Sequence, residues 1–192
     1  MTRVYTANIA DTVIFRSLGQ SPNPHLESLE RAVKEAETEI WVPAAVYHEL
    51  SDTGNTDSPA NPYLDAAIEA GWLRVATPLP GNRASGPDHS ASPVEKARFV
   101  ADEFLNQQSK YPETNNWTDA TLVALAVRLF EQNTRIRVIT HTADQNLAEA
   151  CTRIPPEFGY YDIKSRYYNP PQTAKSEFST VENLSWDEIR SL

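Results

Sequence analysis

The chain has 192 residues, is 40% hydrophobic, and carries a formal net charge of −9 with a pI near 4.9. That apolar content is enough for one globular domain with a buried core, and no apolar run approaches the ~20 residues that would span a membrane. The acidic balance opposes general attraction to nucleic acid by charge, and a single cysteine, Cys151, excludes an internal disulfide and suits a reducing cytoplasm.

Only five of the basic residues are lysine. An acid-rich, lysine-poor chain suits high salt, so we expect a halophilic source and a stability that rises from low to molar KCl. The N-terminal stretch MTRVYTANIADTVIF enters a strand pattern directly and lacks the layout of a signal peptide. The expected location is cytoplasmic.

Residues 2–10 read as a first buried strand (Val4, Ala7, Ile9) that ends at Asp11-Thr12-Val13-Ile14-Phe15. After a loop over residues 21–24, residues 25–37 read as an amphipathic helix with Leu26, Leu29, Ala32, Val33 and Ala36 on one face. Residues 39–43 form a second strand, and Pro43 starts a helix through Leu50 that carries His48 and Glu49. A polar loop over 51–62 precedes a short helix, 63–70, stopped by Gly71, and a third strand over 72–76. The 78–91 segment reads as structureless and mobile. Ser92-Pro93-Val94-Glu95 has the form of a capping box opening a helix to about Ser109, with Phe99, Val100, Phe104 and Leu105 expected in the core.

The stretch from Trp117 to Leu147 reads as helix, turn and strand. Thr118 is expected to cap the helix, Asp119 lies in its first turn, and Leu122, Val123, Leu125, Ala126, Leu129 and Phe130 make it apolar over much of its surface. Residues 135–140 form a strand with Ile136, Val138 and Ile139 as core candidates, and the chain then turns through His141-Thr142-Ala143-Asp144. A last helix runs to about Thr152 and ends at Pro155-Pro156. The remaining residues, 155–192, are aromatic-rich and read as short strands and loops packed on the domain, with a capping box at Ser185-Trp186-Asp187-Glu188.

In an α/β layer each helix runs antiparallel to its strands, so helix starts and strand ends share one rim, where ligands of open sheets bind. Asp11, Glu49, Asp119 and Asp144 all reach that rim. Taken singly, each reads as a cap or a solvated face. Together, four carboxylates ionise only around a cation, or else their pKa values rise. Oxygen-only ligands select Mg²⁺ or Mn²⁺, and such an ion among few carboxylates can activate water against a phosphodiester. Thr142 reads as a helix cap or as a donor to a neighbouring carboxylate or phosphate. Arg16 is one of several arginines near the rim, and the sequence does not place them against a phosphate. Cys151 reads as a free buried thiol, and His25, His48, His89 and His141 show no zinc spacing with it.

At these residues the sequence resembles the PIN-domain nuclease family. The matching pieces are Asp11-Thr12 after a strand, Val42-Pro43…Val46…Glu49-Leu50, Thr118-Asp119-Ala120 opening an alanine-rich helix, and Ile139-Thr140…Thr142-Ala143-Asp144…Leu147. The resemblance covers residues 3 to about 152. It implies a three-layer α/β/α fold around a central, mainly parallel twisted sheet, and Mg²⁺- or Mn²⁺-dependent endoribonuclease activity, often as the toxin of a toxin–antitoxin pair. Asp11, Glu49, Asp119 and Asp144 fall on the family's acidic positions, with Asp11, Asp119 and Asp144 as metal ligands. The chain departs from the family in having Val13 two residues after the first aspartate, a long polar loop, and an added tail. We expect a nuclease domain over 1–154 and an extension over 155–192, RNA as substrate, an antitoxin protein and a second copy of the chain as partners, and no membrane. The competing reading is a non-catalytic binding module with a degenerate pocket. A nucleotide-binding domain ranks below both, since no GxGxxG or phosphate loop is present.

Overall fold

The computed structural model describes residues 5–22, 24–51, 61–79, 83, 86, 90–109, 116–133 and 135–168. The expectations for residues 52–60, for most of 78–91 and 110–115, and for the capping box at 185–188 lie outside the described residues.

Strand β1 (Tyr5–Ala10) leads through Asp11 into α1 (Thr12–Leu18) and α2 (Pro24–Glu35). Then come β2 (Ile40–Val42), α3 (Ala44–Ser51), α4 (Asp65–Glu69) and β3 (Leu73–Val75). The second half runs α5 (Pro93–Gln108), α6 (Trp117–Gln132), β4 (Ile136–Thr142), α7 (Gln145–Glu157) and β5 (Ile163–Tyr167). The five strands form one sheet in the order β3-β2-β1-β4-β5, and every pairing is parallel. This is the three-layer α/β/α architecture that the family resemblance implies. The chain runs from β1 outward to β3 and then back across to β4 and β5. The order therefore reverses between β1 and β4, and the carboxyl ends of strands at such a switch point are where ligands of open α/β sheets bind.

Why these segments take these forms is mostly a matter of which faces are buried. β1 and β4 are covered on both sides, and residues 7–10 and 138–142 are buried without alternation, as central parallel strands require. Helix α6 is buried from Ala120 to Val127, so it is apolar nearly all round, and it packs on α5, α7 and the sheet. Full burial of Leu122 and Leu125 contributes about 2 kcal/mol each. The α2 stripe Leu26, Leu29, Ala32 and Val33 is buried as its spacing predicts. Gly71 has φ +78°, the conformation that ends the α4 turn before β3. Among the described residues no helix is long and apolar enough to cross a membrane.

Several boundaries differ from the sequence reading. Residues 12–18 form a helix, not a strand end, because the chain leaves the sheet at Asp11. β4 continues through His141 and Thr142, held by β1 on one side and β5 on the other, where a turn was expected. Pro155 and Pro156 lie inside α7: burial of Ile154 and Pro155 outweighs the missing N–H groups, and the two proline carbonyls accept from Phe158 and Gly159. On α5 the buried stripe is Val94, Ala97, Arg98, Ala101, Asp102 and Leu105, while Phe99, Val100 and Phe104 are only half-buried. The Ser92 capping box is formed as expected. β5, from the aromatic-rich C-terminal stretch, is the sheet's edge strand beside β4.

Candidate functional site

Asp11 sits where β1 ends and α1 begins. Its backbone N–H donates to the His141 carbonyl at 3.1 Å, continuing the β1–β4 ladder past the last strand residue. Asp11 holds the N-cap position of α1, yet its side chain makes no capping hydrogen bond. Instead the Thr142 hydroxyl donates to Asp11 Oδ2 at 2.8 Å, and Thr142 Oγ1 accepts the Asp144 backbone N–H at 2.9 Å. Asp144 does cap its helix: Oδ1 accepts from the N–H groups of Asn146 and Leu147 at 2.7 and 3.0 Å. Thr142 is thus the donor to a carboxylate that the sequence allowed, and the capping role falls to Asp144.

Asp119 comes from the first turn of α6. Asn116, not Thr118, occupies the N-cap of α6, and it makes no side-chain cap. The helix start is fixed from α5 instead. Arg98 lies over the Trp117 ring at 3.9 Å and Phe99 tilts against it at 5.1 Å. The Asn116 amide donates to Asn106 Oδ1 at 3.0 Å. Two residues beyond Trp117, Asp119 projects at the rim.

Glu49 arrives by a different route from the one its sequence position implied. It lies in the second half of the eight-residue α3, not near its start. α3 packs against α1, and Thr12 Oγ1 donates to Glu49 Oε2 at 3.0 Å while Arg16 Nη2 lies 3.2 Å from Oε1. Thr12 and the pairing of Arg16 with Glu49 were missed in the sequence. The signal was available, since a helix starting directly after Asp11 places residues 12 and 16 on one face.

The four carboxylates feel one another. Burial raises the Asp11 pKa; the Thr142 hydroxyl and the nearby N–H groups of Thr12 and Val13 pull it back, and Glu49 pushes it up. Asp119 is pushed up to about 7, first by burial and then by the charges of Asp11, Asp144 and Glu49. No hydrogen bond to the Asp119 carboxylate forms among the described residues. The result is a set of acceptors from four separate elements, short of positive charge.

Among the described residues no three Asp, Glu, His or Cys side chains come close enough together to enclose a metal ion. The arrangement is an open edge and not a cage. Its chemistry suits a hard divalent cation that keeps several waters and takes only one or two carboxylates directly. The nitrogen and sulfur groups lie elsewhere in function. The His141 ring is buried and hydrogen-bonded to Tyr168 and Asn8, and burial, with Arg166, lowers its pKa to about 3. His48 packs edge-on against Tyr47. Burial pushes the Cys151 thiol up to about 12, so it is inert as a nucleophile.

Compared with known families, the chain matches the model described as the halobacterial PIN domain over residues 4–174. A comparison with the curated proteins finds no match.

Proposed function

This chain belongs to the halobacterial PIN-domain family, and from that premise we propose that it is a Mg²⁺- or Mn²⁺-dependent endoribonuclease. Asp11, Asp119 and Asp144 would hold the ion, directly or through water, and Glu49 completes the acidic set and orients the attacking water. When bound, the ion supplies positive charge for a phosphate oxygen and lowers the pKa of a water.

The chain's own residues do the positioning. Thr142 engages one oxygen of Asp11, and the first turn of α7 engages one oxygen of Asp144. Both carboxylates are therefore fixed by short bonds to rigid elements, which favours a preorganised edge. Asp119, with a pKa of about 7, is divided between its two protonation states at neutral pH. A cation held beside it would favour its ionised form. Thr12 and Arg16 set the orientation of Glu49.

The observation that carries this reading is the gathering of carboxylates at one edge: Thr142 links Asp11 to Asp144, Thr12 holds Glu49 beside Asp11, and Asp119 is raised to about 7 first by burial and then by the charges of the other three. The test is Asp119→Asn. Mn²⁺-dependent cleavage of single-stranded RNA should fall by on the order of 100-fold or more with the fold intact by circular dichroism. Unchanged cleavage would overturn the assignment. A non-catalytic binding module is the second reading, favoured by the absence of a closed ligand set among the described residues. Calorimetry that finds no Mn²⁺ binding near neutral pH would select it.

A toxin role with an antitoxin partner, and a homodimeric assembly, belong to the same proposal and rest on the family alone. Adaptation to high salt is supported by the net charge of −9 and by the family's halobacterial description.

A further inference from the structure

Arg16 forms a pair that does little for folding. Its side chain is 55% exposed and that of Glu49 41% exposed, and ion pairs of this kind contribute at most about 1 kcal/mol. Yet the pair sits at one end of the acidic edge. Arg16 lies one turn after Thr12 on α1, and Thr12 directly follows Asp11. Both Asp11 and Asp119 feel the Glu49 charge that Arg16 partly neutralises. A cation is therefore already held against this edge, and it is hydrated enough to change partners easily.

Two further facts bear on what that partner is. With a net charge of −9 the chain as a whole repels a polyanion, so contact with a phosphate must come from a placed basic group and not from overall attraction. A guanidinium presents a planar fork that fits a carboxylate and a phosphate equally well. Glu49 also has a second anchor: Thr12 holds Oε2 while Arg16 holds Oε1. When Arg16 leaves, Glu49 stays in place.

We propose that Arg16 is shared between two anions. It neutralises Glu49 while the edge lacks a divalent cation, and it binds a backbone phosphate of the RNA strand once such a cation takes over the carboxylates. The proposal rests on the nuclease reading above and names a substrate contact for it. It makes a signed prediction. In Arg16→Ala the edge loses a competing positive charge, so Mn²⁺ binds more tightly. The same variant loses a phosphate contact, so RNA binds more weakly.

The test uses the full chain and two binding measurements, neither of them activity. Calorimetry with Mn²⁺ should show affinity rising by roughly three- to ten-fold in Arg16→Ala. Fluorescence anisotropy with a short single-stranded RNA in Ca²⁺ should show affinity falling by a similar factor, and the slope of log affinity against log salt should shrink by about one. Arg16→Lys should recover part of the RNA affinity, as a point charge without the fork. Arg153→Ala is the control: that arginine is also exposed, and it pairs with Glu149 within α7. It should shift neither constant. Wild-type protein that binds both probes while Arg16→Ala shifts neither, or shifts only one, or weakens both, overturns the proposal and leaves the nuclease reading standing. Wild-type protein that binds neither Mn²⁺ nor RNA overturns the nuclease reading and this one with it.

Discussion

Adjacent residues of β4 anchor two polar clusters that burial treats in opposite ways. His141 belongs to one. Its Nδ1 lies 2.7 Å from the Tyr168 hydroxyl and its Nε2 3.2 Å from Asn8 Oδ1. The Asn8 amide donates to Thr38 Oγ1, and the Thr38 hydroxyl donates to the Thr6 carbonyl. That direction of bonds makes Asn8 Oδ1 an acceptor, so the proton of neutral His141 sits on Nε2 and Tyr168 donates to Nδ1. Donors and acceptors match, and the cluster stays uncharged. Thr142 belongs to the other cluster, with Asp11, Asp119, Asp144 and Glu49. There acceptors exceed donors, and Asp119 is pushed up to about 7, first by burial and then by the charges of Asp11, Asp144 and Glu49. A matched polar cluster is structural; an unmatched one gathers charge that burial opposes.

The largest effect should come from breaking the matched cluster. His141→Ala removes the hydrogen bonds to Asn8 Oδ1 and the Tyr168 hydroxyl and leaves a gap, which should cost about 3 kcal/mol and lower Tm by roughly 6–12 °C. Differential scanning calorimetry checks it. The pH dependence has a definite sign. His141 has a pKa of about 3 when folded against 6.5 unfolded, so the unfolded chain takes up the proton first and stability falls as pH drops from 6.5 towards 3. The variant should lose that slope.

A smaller effect of opposite sign should come from relieving the unmatched cluster. Asp119 titrates near 3.8 unfolded and near 7 folded. The unfolded chain releases this proton first, so in the cation-free protein stability falls as pH rises from about 4 to about 7. Asp119→Asn removes that loss. Above pH 7 the cation-free variant should be more stable than wild type by about 2 kcal/mol, after discounting for partial exposure and for the lost attraction of a carboxylate to the α6 N-terminus. Saturating Mn²⁺ should raise the wild-type Tm and leave the variant's nearly unchanged. A variant that is less stable than wild type at pH 8 without Mn²⁺ would show that the edge is not strained by charge.

The matched cluster was invisible in the sequence and the unmatched one largely legible, for a physical reason. Strand ends and helix starts are local features, and the layer rule sends them to one rim. Asp11, Asp119 and Asp144 could be placed there from their neighbours alone. For Glu49 the sequence reasoning differs from the structure: it lies in the second half of α3 and meets α1 through Thr12, not by lying at a helix start. The Asn8–His141 contact spans 133 residues and exists only once β1 and β4 pair. The same limit explains α5. Its aromatics suggested one buried face, but the small and polar residues Ala97, Arg98, Ala101 and Asp102 are buried, and Phe99 and Phe104 lie half-buried beside Trp117 and Arg153. Where local chemistry closes on itself, as in the Ser92 capping box, the sequence suffices.

The finest separation of the two clusters is at Thr142, whose hydroxyl belongs to one while its backbone adjoins the other. Thr142→Val keeps the buried shape and removes the oxygen. Asp11 then loses the strongest of the influences that hold its pKa down, although the N–H groups of Thr12 and Val13 remain. The Asp144 N–H loses an acceptor, but Asp144 is exposed and water can replace it. A charge-assisted bond is worth ~2 kcal/mol when its loss is not compensated; with these replacements the cost at neutral pH should be about 1 kcal/mol. It should shrink as pH falls, because protonated Asp11 no longer needs the donor. In Asp11→Asn the same substitution should cost less than in wild type, a coupling that a double-mutant cycle reads directly. Equal costs in both backgrounds would mean that Thr142 packs without supporting the carboxylate, and the link between the two clusters would be lost.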